Sequence, residues 1–392
     1  ESGMRNRFDT YLDGVCVIGR EYYRFSGSDP RFTSDLLGKA SAVLDPNTFY
    51  TTNPWADRYR VVRDGWILRH AIDNTSAALT DEQKNGYRGY AKTIQALELL
   101  YNLNMQYDNG IRLVDDVEDP ENLGPFTSDY QACVQGLIDL LDDGYSDLQN
   151  GGDAFVFTLS SGFTGFNTPS SFGQFNRALA ARLKLYHNDW QGTLDDLNQS
   201  FFNFGGDLTT GAYMVYSTAG GDIVNDAFTP LGSSPGANAR CVQKDVVPDA
   251  ELGDNRVVTK MILRSDTAFN DGLSSTYDVW VYKSNEDPIC IIRNEELILI
   301  YAEANNENGN STEAVNAINV IRESAGLPDY SGAVTQDALR DEILNQRRYS
   351  LFAEGHRWID MRRAGKLGEL PIDRPDDDVW VKFPIPASEE GF

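Results

Sequence analysis

Residues 293–327 read RNEELILIYAEANNENGNSTEAVNAINVIRESAGL. The spacing predicts a helix, a turn and a second helix within about 34 residues, the length of a tetratricopeptide hairpin. Small side chains (Ala302, Ala304, Ala314, Ala317) fall where the paired helices would approach. Upstream, SSFGQFNRALAARLKLYHNDWQGTLDDLNQSFF repeats the scheme, with Ala178, Ala180 and Ala181 and a turn at Asn188–Asp189. Over 53–79, Trp55, Tyr59, Val62, Trp66 and Arg69 keep helical spacing; Thr80 then caps a long helix running to about Tyr107. Residues 127–149 form a further helix with Ser128 as the expected cap and Cys133, Leu137, Leu140 and Leu141 inward. TQDALRDEILNQRRYSLFAEGHRWIDMRRAG is the closing pair. The expected fold is mainly α: tetratricopeptide-like repeats, about four helix pairs, with long irregular loops and a few short strands. One domain spans 1–392, divided into an irregular segment 1–52, first hairpins 53–204, a loop-rich insertion 205–292 with a strand at TYDVWVYK, a last repeat and C-terminal helices 293–365, and a tail 366–392.

Lys and Arg number 34 against 59 Asp and Glu, a formal charge of −25. That excess argues against nucleic acid and against an electrostatic hold on an anionic membrane, both of which need concentrated basic residues. A neutral ligand such as a sugar is not repelled. No run of roughly 18 apolar residues exists to span a bilayer as a helix. The chain opens at ESGMRNRF with no leader, so a targeting or lipid-attachment segment is expected to have preceded it. Cys16, Cys133, Cys241 and Cys290 are widely separated and form no CxxC; buried thiols and long-range disulfides both fit. With three scattered His there is no zinc spacing, and no cofactor is expected. The acidic strings VDDVEDPE (114–121) and RPDDD (374–378) lack the D-x-D-x-D-G alternation of a calcium loop and are expected to be solvated loops.

Three stretches carry a family likeness. They are NEELILIYAEA with EAVNAINVIRESAGLP, LRDEILNQRRYSLFAEGHRWIDMRRAGKL with FPIPASE, and FGQFNRALAARLKLYHNDWQGTLDDL. In residue type and spacing the sequence resembles the SusD/RagB family of outer-membrane nutrient-binding lipoproteins over about 53–392. The resemblance implies four tetratricopeptide-like repeats carrying a loop-built ligand face, and a lipidated N-terminus at the cell surface. It implies an oligosaccharide or polysaccharide as ligand, peptides in some relatives, and a SusC-like TonB-dependent transporter as partner. It also implies that ligand contacts come from the segment before the first repeat and the insertion before the last.

Arg347–Gly365 concentrates charge around His356. Read as one helix, Ile343, Arg347, Leu351, Glu354 and Trp358 share a stripe, and Glu354–Arg357 and Asp360–Arg363 are i,i+3 pairs. A paired clasp, drawing carboxylates from Glu296 or Glu303, is the expected role. An acid–base site of Glu354, His356 and Asp360 would lack a nucleophile. Gly355 is expected to allow a bend or a close helix approach. His70 and His187 have no second ligand at i+4.

The 19 Tyr, 19 Phe and 6 Trp leave rings to spare for loops. Flat rings cover the apolar face of a pyranose while carboxylates, amides and Arg hold its hydroxyls. Residues 19–32 and 266–288 carry that mixture, as does TFYTTNPWADRY. The expected ligand contacts are Tyr22, Tyr23, Asp29, Arg31, Trp55, Asp278 and Trp280, with no catalytic residue. A peptide- or protein-binding tetratricopeptide scaffold is the alternative, with contacts on helix faces. A glycoside hydrolase would instead need two carboxylates about 5–10 Å apart.

Overall fold

The structure, a computed structural model, describes residues 1–113 and 124–389. The acidic string at 114–121 lies outside the described residues. In chain order the elements are α1 (Phe8–Ile18), β1 (Tyr22–Phe25), α2 (Phe49–Asn74), α3 (Asp81–Gln106), α4 (Tyr130–Gln149), α5 (Pro169–Tyr186) and α6 (Trp190–Gln199). Then follow β2 (Gly211–Met214), β3 (Ala239–Val242), α7 (Asn255–Lys260), β4 (Met261–Asn270), β5 (Leu273–Val279) and β6 (Ile289–Arg293). The chain closes with α8 (Asn294–Glu307), α9 (Ser311–Ser324), α10 (Gln336–Ser350) and α11 (Arg357–Arg363). The molecule is mainly α, as expected. Helices α2 to α6 pack each against the next, and α6 passes the stack on to α8 and α9.

Local chemistry sets the helix ends. Thr80 and Gln83 form a reciprocal capping box on α3. Asp189 caps α6 by accepting from Gly192 N at 2.9 Å, and Asn188 turns the chain with φ +63°. On α4 the cap is Asp129, not Ser128; its Oδ1 accepts from Ala132 N at 2.7 Å. Small residues let α3 and α4 touch: a Cβ on Gly89 would lie 2.5 Å from Leu148 Cγ. Ala302, Ala304, Ala314 and Ala317 are all fully buried.

Residues 1–52 are irregular only in part, since they hold a helix and a strand. Phe8, Leu12, Val15 and Cys16 follow helical spacing and bury α1 in the main core. Tyr22–Phe25 is the edge strand of an antiparallel sheet ordered β1-β3-β5-β4. Its register sets Tyr22 opposite Val242 and Phe25 opposite Ala239. The expected strand at TYDVWVYK starts earlier, at Leu273, and stops at Val279. β2 and β6 form a separate two-stranded ladder.

The closing stripe is broken where one helix was expected. α10 ends at Ser350, and Ala353 (φ +61°) and Gly355 (φ +84°) reverse the chain before α11. Glu354 therefore leaves the stripe and meets Arg293 instead of Arg357. Arg347 Nε donates to Asp360 at 2.6 Å, and Arg363 donates to both Asp360, at 3.0 Å, and Glu303, at 2.7 Å. Glu303 thus serves the clasp. Glu296 is instead taken by Arg182 of α5, at 2.7 and 2.6 Å, with His356 Nε2 3.9 Å away. Burial opposes the Glu296 charge, but Arg182 outweighs it and holds the carboxyl at about 2. At the tail, RPDDD is solvated only in part: Pro375, Asp376 and Asp378 are exposed, while Arg374 and Asp377 are buried and pair at 2.8 Å.

Candidate ligand face

Of the two segments singled out for recognition, 266–288 meets residues just beyond 19–32, Thr33 and Lys39, at the tip of the β4–β5 hairpin. Asp271 and Gly272 both have positive φ, +51° and +79°, which is the Asp-Gly turn that matches strand twist. The Asp271 carboxylate accepts from Thr33 Oγ1 at 3.0 Å, from Arg374 Nη1 at 2.7 Å and from Lys39 Nζ. Burial works against its charge, but these three donors outweigh it and keep the carboxyl below the ordinary range. Arg374 Nη2 also donates to Thr33 O at 2.6 Å. One carboxylate thus ties the hairpin, the 30–39 segment and the C-terminal tail into a fixed surface.

On that surface Asp29 receives Arg31 through two bonds, Nε at 2.8 Å and Nη2 at 2.7 Å. Asp29 also caps the short turn at Pro30–Phe32. The Arg31 side chain remains 45% exposed, and its guanidinium lies 5.0 Å over the Phe49 ring. Mainly through the Arg31 bonds, the Asp29 carboxyl is held below its usual range, so it presents charge and acceptors to solvent. Phe269, on β4 beside the tip, is largely exposed.

Trp280 lies at the opposite end of β5, about 24 Å of strand from the tip. It is half-buried, 6.4 Å from Phe228 between ring centroids. Its indole N–H makes no hydrogen bond to any described residue, while its backbone N–H donates to Lys260 O at 2.7 Å. Among the described residues no hydrogen bond or ring contact joins Arg31 to Trp280, so a ligand touching both would bridge the gap between them.

Four expected contacts belong to the framework instead. Tyr22 is buried with its hydroxyl on Asp13 at 2.9 Å, and Asp13 in turn takes Arg240 at 2.7 Å. Tyr23 is buried and stacks on Phe25 at 5.5 Å. Asp278 is buried and accepts from Gly232 N at 2.7 Å and from Arg264. Trp55 faces inward from α2, stacked on Phe126 at 5.8 Å, its Nε1 donating to Glu389 at 2.9 Å. Aromatic content alone could not separate these rings from solvent-facing ones; strand pairing and a tail residue far along the chain decide it.

One concavity escaped the sequence reading. A polar cleft of about 290 Å³ is lined by Arg5, Asp9, Arg60, Tyr216 and Asp226 among others. Burial, with Asp13 adding, pushes the Asp9 carboxyl up to about 6. Its residues come from several distant segments, so no motif announced it. Among the described residues no grouping of three His, Cys, Asp or Glu could hold a metal ion, no helix is long and apolar enough to cross a membrane, and all four Cys are thiols.

Residues 264–376 match the SusD family model. A SusD-like protein P38 of Formosa agariphila is 33% identical over 145 residues, which is 34% of this chain and 29% of that protein. In sequence the chain is similar to the SusD family over residues 264–376, and in fold it is like SusD superfamily structures. Its match therefore spans less than a third of that curated SusD-like relative's own length. Among solved structures, a SusD superfamily protein of Parabacteroides distasonis superposes with a TM-score of 0.71 at 18% identity, covering 97% of this chain and 90% of that one. A laminarin-binding SusD-like protein superposes at 0.67 and 16% identity, covering 100% and 95%. At these identities the likeness fixes the SusD-like helical fold.

Proposed function

We propose that this chain is a non-catalytic carbohydrate-binding protein of the cell surface. It would be lipid-anchored at the outer membrane, take an oligosaccharide or polysaccharide, and deliver it to a SusC-like TonB-dependent transporter. The observation that carries this reading is the loop surface fixed by Asp271, which presents Asp29 and Arg31 beside a Phe ring. Planar, charge-assisted donors and acceptors next to apolar ring area are what sugar hydroxyls and C–H faces require. Because the surface is already ordered, a ligand need not organise it. The fold shared with a protein described as laminarin-binding supports the ligand class. Asp29, Arg31 and Trp280 are the proposed contacts, on an extended glycan chain.

The test is retention in native gels containing laminarin, amylopectin, xylan or galactan. Arg31→Ala and Trp280→Ala should each weaken retention on one of these roughly three- to tenfold, as expected for losing one ring or charge contact. Melting temperature should not change. Absence of retention across the panel, or full retention by both variants, sinks this assignment.

A further inference from the structure

We infer that the groove where the α6–β2 connection crosses α8 and α9 is a second carbohydrate site, separate from the loop face. This inference rests on the carbohydrate reading above. Phe202 and Tyr301 lie nearly parallel, 5.1 Å between centroids and 20° between planes. Phe204 stands edge-on to Tyr301, at 5.8 Å and 71°. All three rings pack against the α8–α9 core yet stay only half-buried. They form a two-walled aromatic corner in a groove of about 440 Å³, within the roughly 300–1,000 Å³ usual for small-molecule clefts.

The corner is held in place. Asn294, the first residue of α8, is buried, and its side chain clamps the backbone between the two Phe rings. Its Oδ1 accepts from Asn203 N at 2.9 Å and its Nδ2 donates to Asn203 O at 2.8 Å. A bidentate amide clamp on the residue between Phe202 and Phe204 orders both rings before any ligand arrives. The helical scaffold needs no such ring wall for its own closure, since Ala314, Ala317, Ile318 and Ile321 already bury α9.

The rim supplies the polar half of sugar recognition. Asn198, Asn316 and Glu323 are exposed, and their side chains make no hydrogen bond or ion pair with any described residue. Glu313 accepts from Tyr301 OH at 3.1 Å, which aims a carboxylate and a phenol along one wall. Amides donate and accept, and carboxylates accept, so this rim can engage hydroxyls in either sense. A helical peptide would ask for a longer row of apolar pockets at i, i+3, i+4 and i+7. The groove offers one ring corner surrounded by amides and acids, matched to a single pyranose unit.

The experiment compares wild type, Phe204→Ala with Asn316→Ala, and Arg31→Ala with Trp280→Ala on the four polysaccharide gels named above. The groove variant should lose retention roughly three- to tenfold, with an unchanged melting temperature. Combining both pairs should cost more than either pair. If Phe204→Ala lowers the melting temperature, Asn316→Ala alone decides, because its exposed side chain bonds to no described residue. Wild-type retention by the groove variant overturns the second site while leaving the loop-face reading intact. Lack of retention of wild type on all four gels, or Phe204-dependent capture of a cationic peptide instead, overturns both.

Discussion

Asp360 neutralises two guanidiniums at once, and one of them has nowhere else to go. Arg347 is almost fully buried, and its Nη1 and Nη2 make no hydrogen bond among the described residues. Asp360→Asn would leave that charge without its counter-ion, a loss of roughly 3–5 kcal/mol for a buried pair broken on one side. Urea denaturation of the variant should show it; a change under about 1 kcal/mol would mean that water or Glu303 takes over. Glu21 behaves in the opposite sense. It is buried, Oε1 accepts from Ala353 N at 2.8 Å, and Oε2 has no hydrogen-bond partner among the described residues. Burial pushes its carboxyl up to about 7, from 4.5 when unfolded. A raised carboxyl adds its stability below pH 4.5 and loses it as pH rises through 7, because the unfolded chain ionises first. Glu21→Gln removes that ionisation. Relative to wild type it should gain up to about 3 kcal/mol at pH 8 and little at pH 5. Equal pH profiles for the two proteins would show that Glu21 is not the titrating group.

At the scale of elements, the turn between α10 and α11 decides whether the clasp closes. Gly355 has φ +84°, and a Cβ there would sit 3.1 Å from Val15 Cγ2 of α1. Gly355→Ala should cost roughly 1–3 kcal/mol through the left-handed backbone and that contact. Thermal unfolding measures it, and an unshifted midpoint would refute the strained-turn account. The sequence foretold a bend or close approach at Gly355, and the structure has both. It foretold most of the helices as well, because period and caps are local: Thr80 and the Asn188–Asp189 turn can be read within a few residues. The apolar period of α1 was equally present, but the Arg, Tyr and Asp around it suggested a loop. Of the ligand face, the Asp29–Arg31 pair is visible as near neighbours and the Asp271–Gly272 turn as a dipeptide. The tie from Asp271 to Lys39 and Arg374 is not, since it joins residues 232 and 103 positions apart. Trp55 and Tyr23 fail for the same reason: their burial is set by partners that local pattern does not name.

For the whole molecule the net charge of −25 sets what kind of ligand can approach. Anionic chains are repelled at long range, while a neutral glycan feels no net force. The proposed contacts are short-range hydrogen bonds and ring stacking, which salt scarcely touches. A cationic peptide would instead be drawn in by the protein's field, and added salt would weaken its binding as the screening length shrinks from about 10 Å at 0.1 M to about 3 Å at 1 M. Native-gel retention on a neutral polysaccharide should therefore change less than about twofold between those two salt concentrations. The same gels with a uronic-acid-rich or sulfated polysaccharide should show weaker retention at low salt, recovering as salt is raised. Retention on the neutral gel that falls steeply with salt would mean that local contacts of ionised side chains hold the ligand, and the ring-and-amide account of recognition would give way to an electrostatic one.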